Sequence, residues 1–264
     1  MDVILTVAYG KVCDYPTYRA FLNSYQAIRR DDLKLVAFGG NMSRAARRAT
    51  EAAGVEIHDP GARFNDPGNK LRHWYFAEYL CRRSDSAGYV LTVDARDTIF
   101  QSDPFSFAPL RSSARILLSA ESTLVKADPW NLQDQTAFQQ AIRPACRQGK
   151  FQNWPVINGG FVAGTIAAMA DFGLTRFALD AREGEATDQA SLTALGNWIR
   201  DWPGYRIVGD DEPWVFHGHW LGQSDQAAVR DEGVVVVRST GEPYRMFHQW
   251  ERTDCHERLL KKFG

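Results

Sequence analysis

An α/β fold, with a mostly parallel sheet and helices on both faces, is what the order of the first hundred residues predicts. Three observations point to it. Short apolar runs rich in β-formers alternate with segments of helical spacing. Glycine or an Asp-Pro-Gly break follows the first three runs. The fourth run ends in two carboxylates, at the strand end where open parallel sheets take their ligands.

Residues 3–9 form the first apolar strand, and Gly10 breaks it. Tyr18, Phe21, Leu22, Tyr25 and Ile28 then recur at helical spacing. Residues 33–38 form a second strand closed by Gly39 and Gly40. Ser43 caps a helix that runs to Ala53, with Gly54 as its stop. Residues 55–58 form a short third strand, ended by Asp59-Pro60-Gly61 and a loop rich in Gly, Asn, Asp and Pro. Residues 71–80 are an amphipathic helix on which Trp74 and Tyr75 sit at core spacing, and residues 88–93 are the fourth strand. Beyond residue 105 the pattern loosens. Strands are expected at 115–119, 160–163, 205–208, 234–237 and 244–248, and helices at 166–179 and 188–198. The change of style near 105 reads as a change of role within one domain covering residues 1–264.

Composition excludes several classes. Thirty-one basic and 32 acidic residues leave a net charge of −1, without the basic excess of a general nucleic-acid binder. An aromatic content of 12% with so little net charge excludes a disordered chain. Cys13, Cys81, Cys146 and Cys255 are far apart and contain no CxxC pair, which argues for a reduced, cytoplasmic setting. The first apolar run follows Asp2 and is too short for a signal peptide, and no stretch reaches the length of a membrane span.

The most informative segment follows the fourth strand: Val93-Asp94-Ala95-Arg96-Asp97-Thr98-Ile99-Phe100. Carboxylates are hard oxygen ligands suited to Mg²⁺ or Mn²⁺ carrying a diphosphate. The competing reading is a salt-bridged turn in which Arg96 pairs with one of the two acids. The stretch resembles the Asp-x-Asp region of GT-A-type nucleotide-sugar glycosyltransferases, in particular the glycogenin-like and bacterial lipopolysaccharide group, with Arg96 as one extra residue.

That resemblance implies a GT-A, Rossmann-like sheet with an irregular C-terminal acceptor-side part. Residues 1–105 would be the nucleotide-binding half and 106–264 the sugar and acceptor half. It implies Asp94 near the ribose and the metal, and Asp97 as the firmer ligand of Mn²⁺ or Mg²⁺. It places the donor base at the end of the first strand, at Ala8 and Tyr9, and donor phosphate or sugar near Lys70, Arg72 and Arg96. Val156-Ile157-Asn158-Gly159-Gly160-Phe161 resembles the family's Phe-Asn-Ser-Gly run, although Asn-Gly-Gly alone marks a turn. Thr187-Asp188-Gln189 resembles its Asp-Gln motif, with Asp188 against the transferred sugar and Thr187 as a helix cap. A C-terminal histidine often closes the metal site in this family; His248 is the first choice here, His217 the second and His219 the third. Glu121 follows a strand and is a candidate to bind sugar or acceptor, alongside Asn158 and Asp188, the plain alternative being a solvated loop acid.

The activity implied is sugar transfer from a nucleotide-diphosphate sugar to a glycan, lipid-linked or protein acceptor, with retention, in the cytoplasm or at the inner membrane face. The expected geometry brings Asp97 and a histidine within reach of one ion, with the acidic turn opening into the largest cleft beside Tyr9 and Arg72. Two other classes stand beside it. A metal-dependent nucleotidyltransferase or phosphohydrolase uses similar acids, but Tyr9-Gly10-Lys11-Val12 is poor in the glycine a sugar-activating enzyme of that kind needs. A non-catalytic nucleotide-sugar or glycan-binding module would use the tryptophans, seven of eight of which lie at or beyond residue 130; core filling explains them equally.

Overall fold

Apolar side chains on both sides of the same strands set the architecture. The computed structural model describes residues 1–59, 70–83, 86–112, 114–142, 151–180, 187–221, 224–230 and 232–264. Strands β1 (Asp2–Val7), β2 (Leu33–Phe38), β3 (Glu56–His58) and β4 (Tyr89–Asp94) run parallel in the order β3-β2-β1-β4. On the far side of β4 lie β7 (Pro155–Thr165), β6 (Ile116–Leu124) and β8 (Tyr205–Val208). β7 is antiparallel to both neighbours, while β8 is parallel to β6, so the sheet is mixed and mostly parallel.

Successive side chains on these strands point to opposite faces. Ile4, Leu35, Leu91 and Ala163 join one core layer, and Val3, Leu5, Val36, Val90 and Val162 join the other. Helices α1 (Pro16–Ile28), α2 (Arg44–Ala52) and the short α4 (Ala108–Ser112) pack on the first layer. Helices α3 (Lys70–Cys81), α6 (Ile166–Asp180) and α7 (Asp188–Ile199) cover the second. Helix α5 (Pro129–Ile142) lies outside α7 through Phe138, Ala190 and Ala194.

The chain leaves β1 for β2 on one side and returns to the other side as β4. The strand order therefore reverses between β1 and β4, and such a reversal opens a crevice past the carboxyl ends of the two strands. Val7 and Asp94 sit there, as partners in the β1–β4 register.

A second sheet completes that crevice. β12 (Met246–His248) lies between β5 (Thr98–Phe100), to which it is antiparallel, and β9 (Val215–His217), to which it is parallel. Phe100, Trp214, Val215 and Met246 anchor it to the α1 side of the large sheet. Ile99, Phe216, Phe247 and Trp250 face the other way, into a cluster with Leu259 of α8 (His256–Phe263) and with Val235 and Val237. The last two belong to β11 (Val235–Val237), which pairs with β10 (Ala227–Val229).

Most expected elements are present with ends shifted by a residue or two; β6 runs five residues past its expected end, so that Glu121 lies within the strand rather than after it. The exceptions have physical causes. β7 is eleven residues long, and Asn158-Gly159-Gly160 runs through its middle as extended, buried backbone rather than as a turn. β5 and β9 are three residues each, too short to show a period in sequence. On α3 the buried face carries Arg72, His73, Phe76, Ala77, Tyr79 and Leu80, while Trp74 is exposed against Phe177, a correction to its expected core role. Among the later tryptophans, Trp214 and Trp250 fill the core, whereas Trp130, Trp198 and Trp202 are exposed. Cys146 and the loop at residues 60–69 lie outside the described residues. Among the described residues, no helix is long and apolar enough to cross a membrane.

The expected cap at Ser43 is formed: its Oγ accepts from Ala46 N–H at 3.1 Å and donates to Asp14. Gly54, at φ +77°, supplies the left-handed residue that ends the turn after α2. Ser43→Ala is expected to lower unfolding free energy by about 1 kcal/mol in a urea titration; an unchanged midpoint contradicts the cap.

Candidate metal centre

The two sheets meet at the acidic turn. β4 ends at Asp94, two turn residues follow, and Asp97 leads into β5. Thr98 Oγ1 donates to the Asp94 carbonyl at 2.6 Å and tightens the turn. His248 pairs with Thr98 across the β5–β12 ladder, and the next residue, Gln249, donates its N–H to the Asp97 carbonyl at 2.7 Å. Backbone pairing alone thus delivers the imidazole to the acids. One oxygen from each carboxylate and a nitrogen of His248 lie within 4.8 Å of one another. His248 Nε2 is 3.4 Å from Asp97 Oδ1 and 3.7 Å from Asp94 Oδ2.

The extra residue Arg96 does not push the acids apart. Its guanidinium reaches outward, 3.2 Å from Asp97 Oδ2 and 3.6 Å from Glu251 Oε1. Asp97 Oδ1 is left buried, without a hydrogen-bond partner of good geometry among the described residues. A buried, unsatisfied carboxylate oxygen is costly unless a cation meets it. Two hard carboxylate oxygens and one imidazole nitrogen are a donor set that suits Mn²⁺. The residues present therefore fit a divalent ion.

Electrostatics agree with the geometry. Burial raises the Asp97 carboxyl, but the opposed His248 and Arg96 outweigh it and hold it below the usual carboxylate range. Burial pulls His248 down, and the facing Asp97 and Asp94 bring it above the ordinary histidine value. The two carboxylates thus favour the charged form of His248.

Beside the acids lies a cleft of about 230 Å³ lined by Val7, Tyr9, Val12, Arg72 and residues 94–97. A larger hollow of about 560 Å³, at Phe38, His58, Trp74 and Tyr75, corrects the expectation that the acidic turn opens into the largest one. Tyr9 reaches the cleft wall, while Ala8 is buried and its N–H is bonded to Phe38 O at 3.0 Å. Arg72 is buried and committed on two sides: Nη1 donates to Asp94 Oδ1 at 2.7 Å, and Nη2 donates to Gly159 O at 3.0 Å and to Asp188. Lys70 opens α3, and its side chain lies outside the described residues.

The glycines of β7 have distinct uses. A Cβ on Gly160 would stand 2.5 Å from Asp94 Oδ2, so only glycine lets the carboxylate lie against the strand. The Gly159 carbonyl accepts from Arg72 and, at 3.2 Å, from Arg176. Asn158 bridges: Oδ1 accepts from Gly160 N–H at 2.9 Å, and Nδ2 donates to Glu121 Oε1 at 2.8 Å. Trp220 Nε1 donates to the other Glu121 oxygen at 3.1 Å. Glu121 is therefore buried and bonded, not a solvated loop acid.

Asp188 stands behind Arg72 rather than in the cleft wall. Arg72, Arg176 at 3.7 Å and His73 at 3.6 Å surround its Oδ2. Burial raises this carboxyl, and the opposing charges, Arg72 foremost, drive it far below the usual range. Gln189 turns to α5, where Nε2 donates to Asn131 Oδ1 at 2.9 Å. His217 meets His248 and Ser119 instead of the acids, and His219 is exposed against Trp220.

Sequence reasoning missed Arg176. Its signal was present: it falls with Met169, Phe172 and Gly173 on the buried side of a largely apolar helix, a place where a cation needs partners.

Two outcomes follow. Gly160→Ala is expected to displace Asp94 and weaken Mn²⁺ binding at least about tenfold, as disturbed support of a ligand does; calorimetry giving wild-type affinity contradicts the placement of Asp94. Because an ion must displace the His248 proton, affinity is expected to rise with pH by up to about tenfold per unit below the raised His248 pKa and to level off above it. Binding without proton release below that pKa, measured in buffers of different ionisation enthalpy, contradicts this. The chain matches no protein-family model and no curated protein, so the case for its chemistry rests on this geometry.

Proposed function

We propose that the chain is a cation-dependent glycosyltransferase of the GT-A type, moving a sugar from a nucleotide-diphosphate sugar to an acceptor hydroxyl with retention. The observation that carries the reading is the convergence of Asp94, Asp97 and His248 at the strand-order reversal, beside a cleft that Tyr9 and Arg96 also line. Asp94, Asp97 and His248 would hold a divalent ion, Mn²⁺ by donor type, whose chemistry is Lewis-acid neutralisation of a leaving diphosphate.

The chain's own residues supply the rest. Tyr9, at the end of β1, offers a ring on which a base can stack. Arg96 is the half-exposed guanidinium of the cleft and can turn its remaining donors to phosphate oxygens. Arg72 is fixed by Asp94 and Asp188, so it contributes preorganised charge rather than a mobile contact. Asn158 and Glu121, bonded to each other, suit the orienting of sugar or acceptor hydroxyls. Asn158 and Trp220 hold both Glu121 oxygens, so its carboxylate is fixed in place.

The test is turnover of a nucleotide-sugar panel with Mn²⁺, read as release of nucleoside diphosphate. We expect release for one donor class, dependent on the ion and lowered at least about 10²-fold in Asp97→Ala, in line with the several kcal/mol such neutralisation supplies. Intact activity in Asp97→Ala overturns the assignment. Turnover of a nucleoside triphosphate instead favours a nucleotidyltransferase.

A further inference from the structure

His217 is buried on β9 with both ring nitrogens engaged. Nδ1 lies 2.9 Å from His248 Nδ1, and Nε2 lies 2.8 Å from Ser119 Oγ. The contacts follow from register: His217 and His248 are partners in the β9–β12 ladder, and Ser119 reaches them from β6 of the large sheet. Phe161 packs against both rings, with centroids 5.8 and 4.8 Å away.

Proton counting restricts this chain of contacts. Only one of two facing Nδ1 atoms can carry the shared proton. In one arrangement Ser119 donates to His217 Nε2 and His217 Nδ1–H donates to His248 Nδ1. His248 then keeps its proton on Nε2, the atom facing the carboxylates. In the other, His248 Nδ1–H donates to His217 Nδ1, and His217 Nε2–H donates to Ser119 Oγ. With the ring neutral, the His248 Nε2 lone pair is then open toward Asp94 and Asp97. Only the second arrangement permits ligation.

We propose that His217 and Ser119 form a buried acceptor relay that commits His248 to its Nδ1–H tautomer, making His217 a positioning residue of the cation site and not a ligand. This rests on the cation reading above. A ligating imidazole whose other nitrogen is anchored is held in both orientation and tautomer.

Two variants and one spectroscopic measurement test it. His217→Leu removes the acceptor, and His217→Asn returns an amide oxygen close to the place of Nδ1. Mn²⁺ affinity is measured by calorimetry and by EPR of the free ion, and thermal unfolding without metal reports the fold. His217→Leu is expected to bind Mn²⁺ about 10–100-fold more weakly, and His217→Asn to recover most of the loss. Long-range ¹H–¹⁵N NMR of the Mg²⁺-loaded wild type, which does not depend on a variant folding, is expected to find the proton on Nε2 of His217 and on Nδ1 of His248. Wild-type affinity in His217→Leu, no recovery in a folded His217→Asn, or the opposite tautomer at His217 overturns the proposal. Failure of the cation reading itself looks different: the wild type then binds no Mn²⁺ and His248→Ala changes nothing, which overturns both.

Discussion

The site depends on β12 lying between β5 and β9. That one placement sets His248 opposite Thr98 and ties Gln249 N–H to the Asp97 carbonyl. Asp97 and His248 are far apart in the chain, and closing a loop of roughly 150 residues costs about 4–5 kcal/mol of chain entropy. The buried outer face of the small sheet offsets it, since Phe216, Phe247 and Trp250 each contribute about 1.5–3 kcal/mol on burial. The placement of His248 against the acids is thus supported by an apolar cluster on the other face of the small sheet. Gln249, at φ +54°, takes a left-handed turn directly after His248, so the ladder stops there.

Charge is balanced in two linked groups. Asp94, Asp97, Arg96 and His248 make the open group at the cleft, and Asp188, Arg176, His73 and Asp180 make a closed one behind it. Arg72 joins them, with one nitrogen on Asp94 and another on Asp188. At Arg176 and Asp180 burial dominates: it brings Arg176 down to about 10 despite Asp180 and Asp188, and pushes Asp180 up to about 6 despite Arg176, whereas at Asp188 the opposing charges prevail. Removing one partner of such a pair leaves an uncompensated buried charge, worth about 3–5 kcal/mol. The start of α7 and the acidic turn are therefore coupled through a single guanidinium, although α7 does not border the cleft.

How much of this was legible before the structure differs residue by residue. β1 to β4 were readable because alternating element types and apolar runs leave local marks, and Asp94 and Asp97 because a strand end is a local feature too. His248 stood out as the end of an apolar run. His217 ranked second to it, since it too ends a short apolar run; only the register and the ring contacts show that one faces the acids and the other backs it. Asn158-Gly159-Gly160 has the composition of a turn, and tertiary context made it strand, because Asp94 fills the space a side chain would occupy. Glu121 and Trp220 find each other across distant segments, which no local pattern records.

The most direct measurement is an anomalous-scattering map from crystals grown with Mn²⁺ and a nucleoside diphosphate. The account predicts one strong peak bounded by Asp94, Asp97 and His248 Nε2, with diphosphate oxygens completing the shell and the base near Tyr9. A peak elsewhere, or none while His248 stays paired with the two carboxylates, contradicts it.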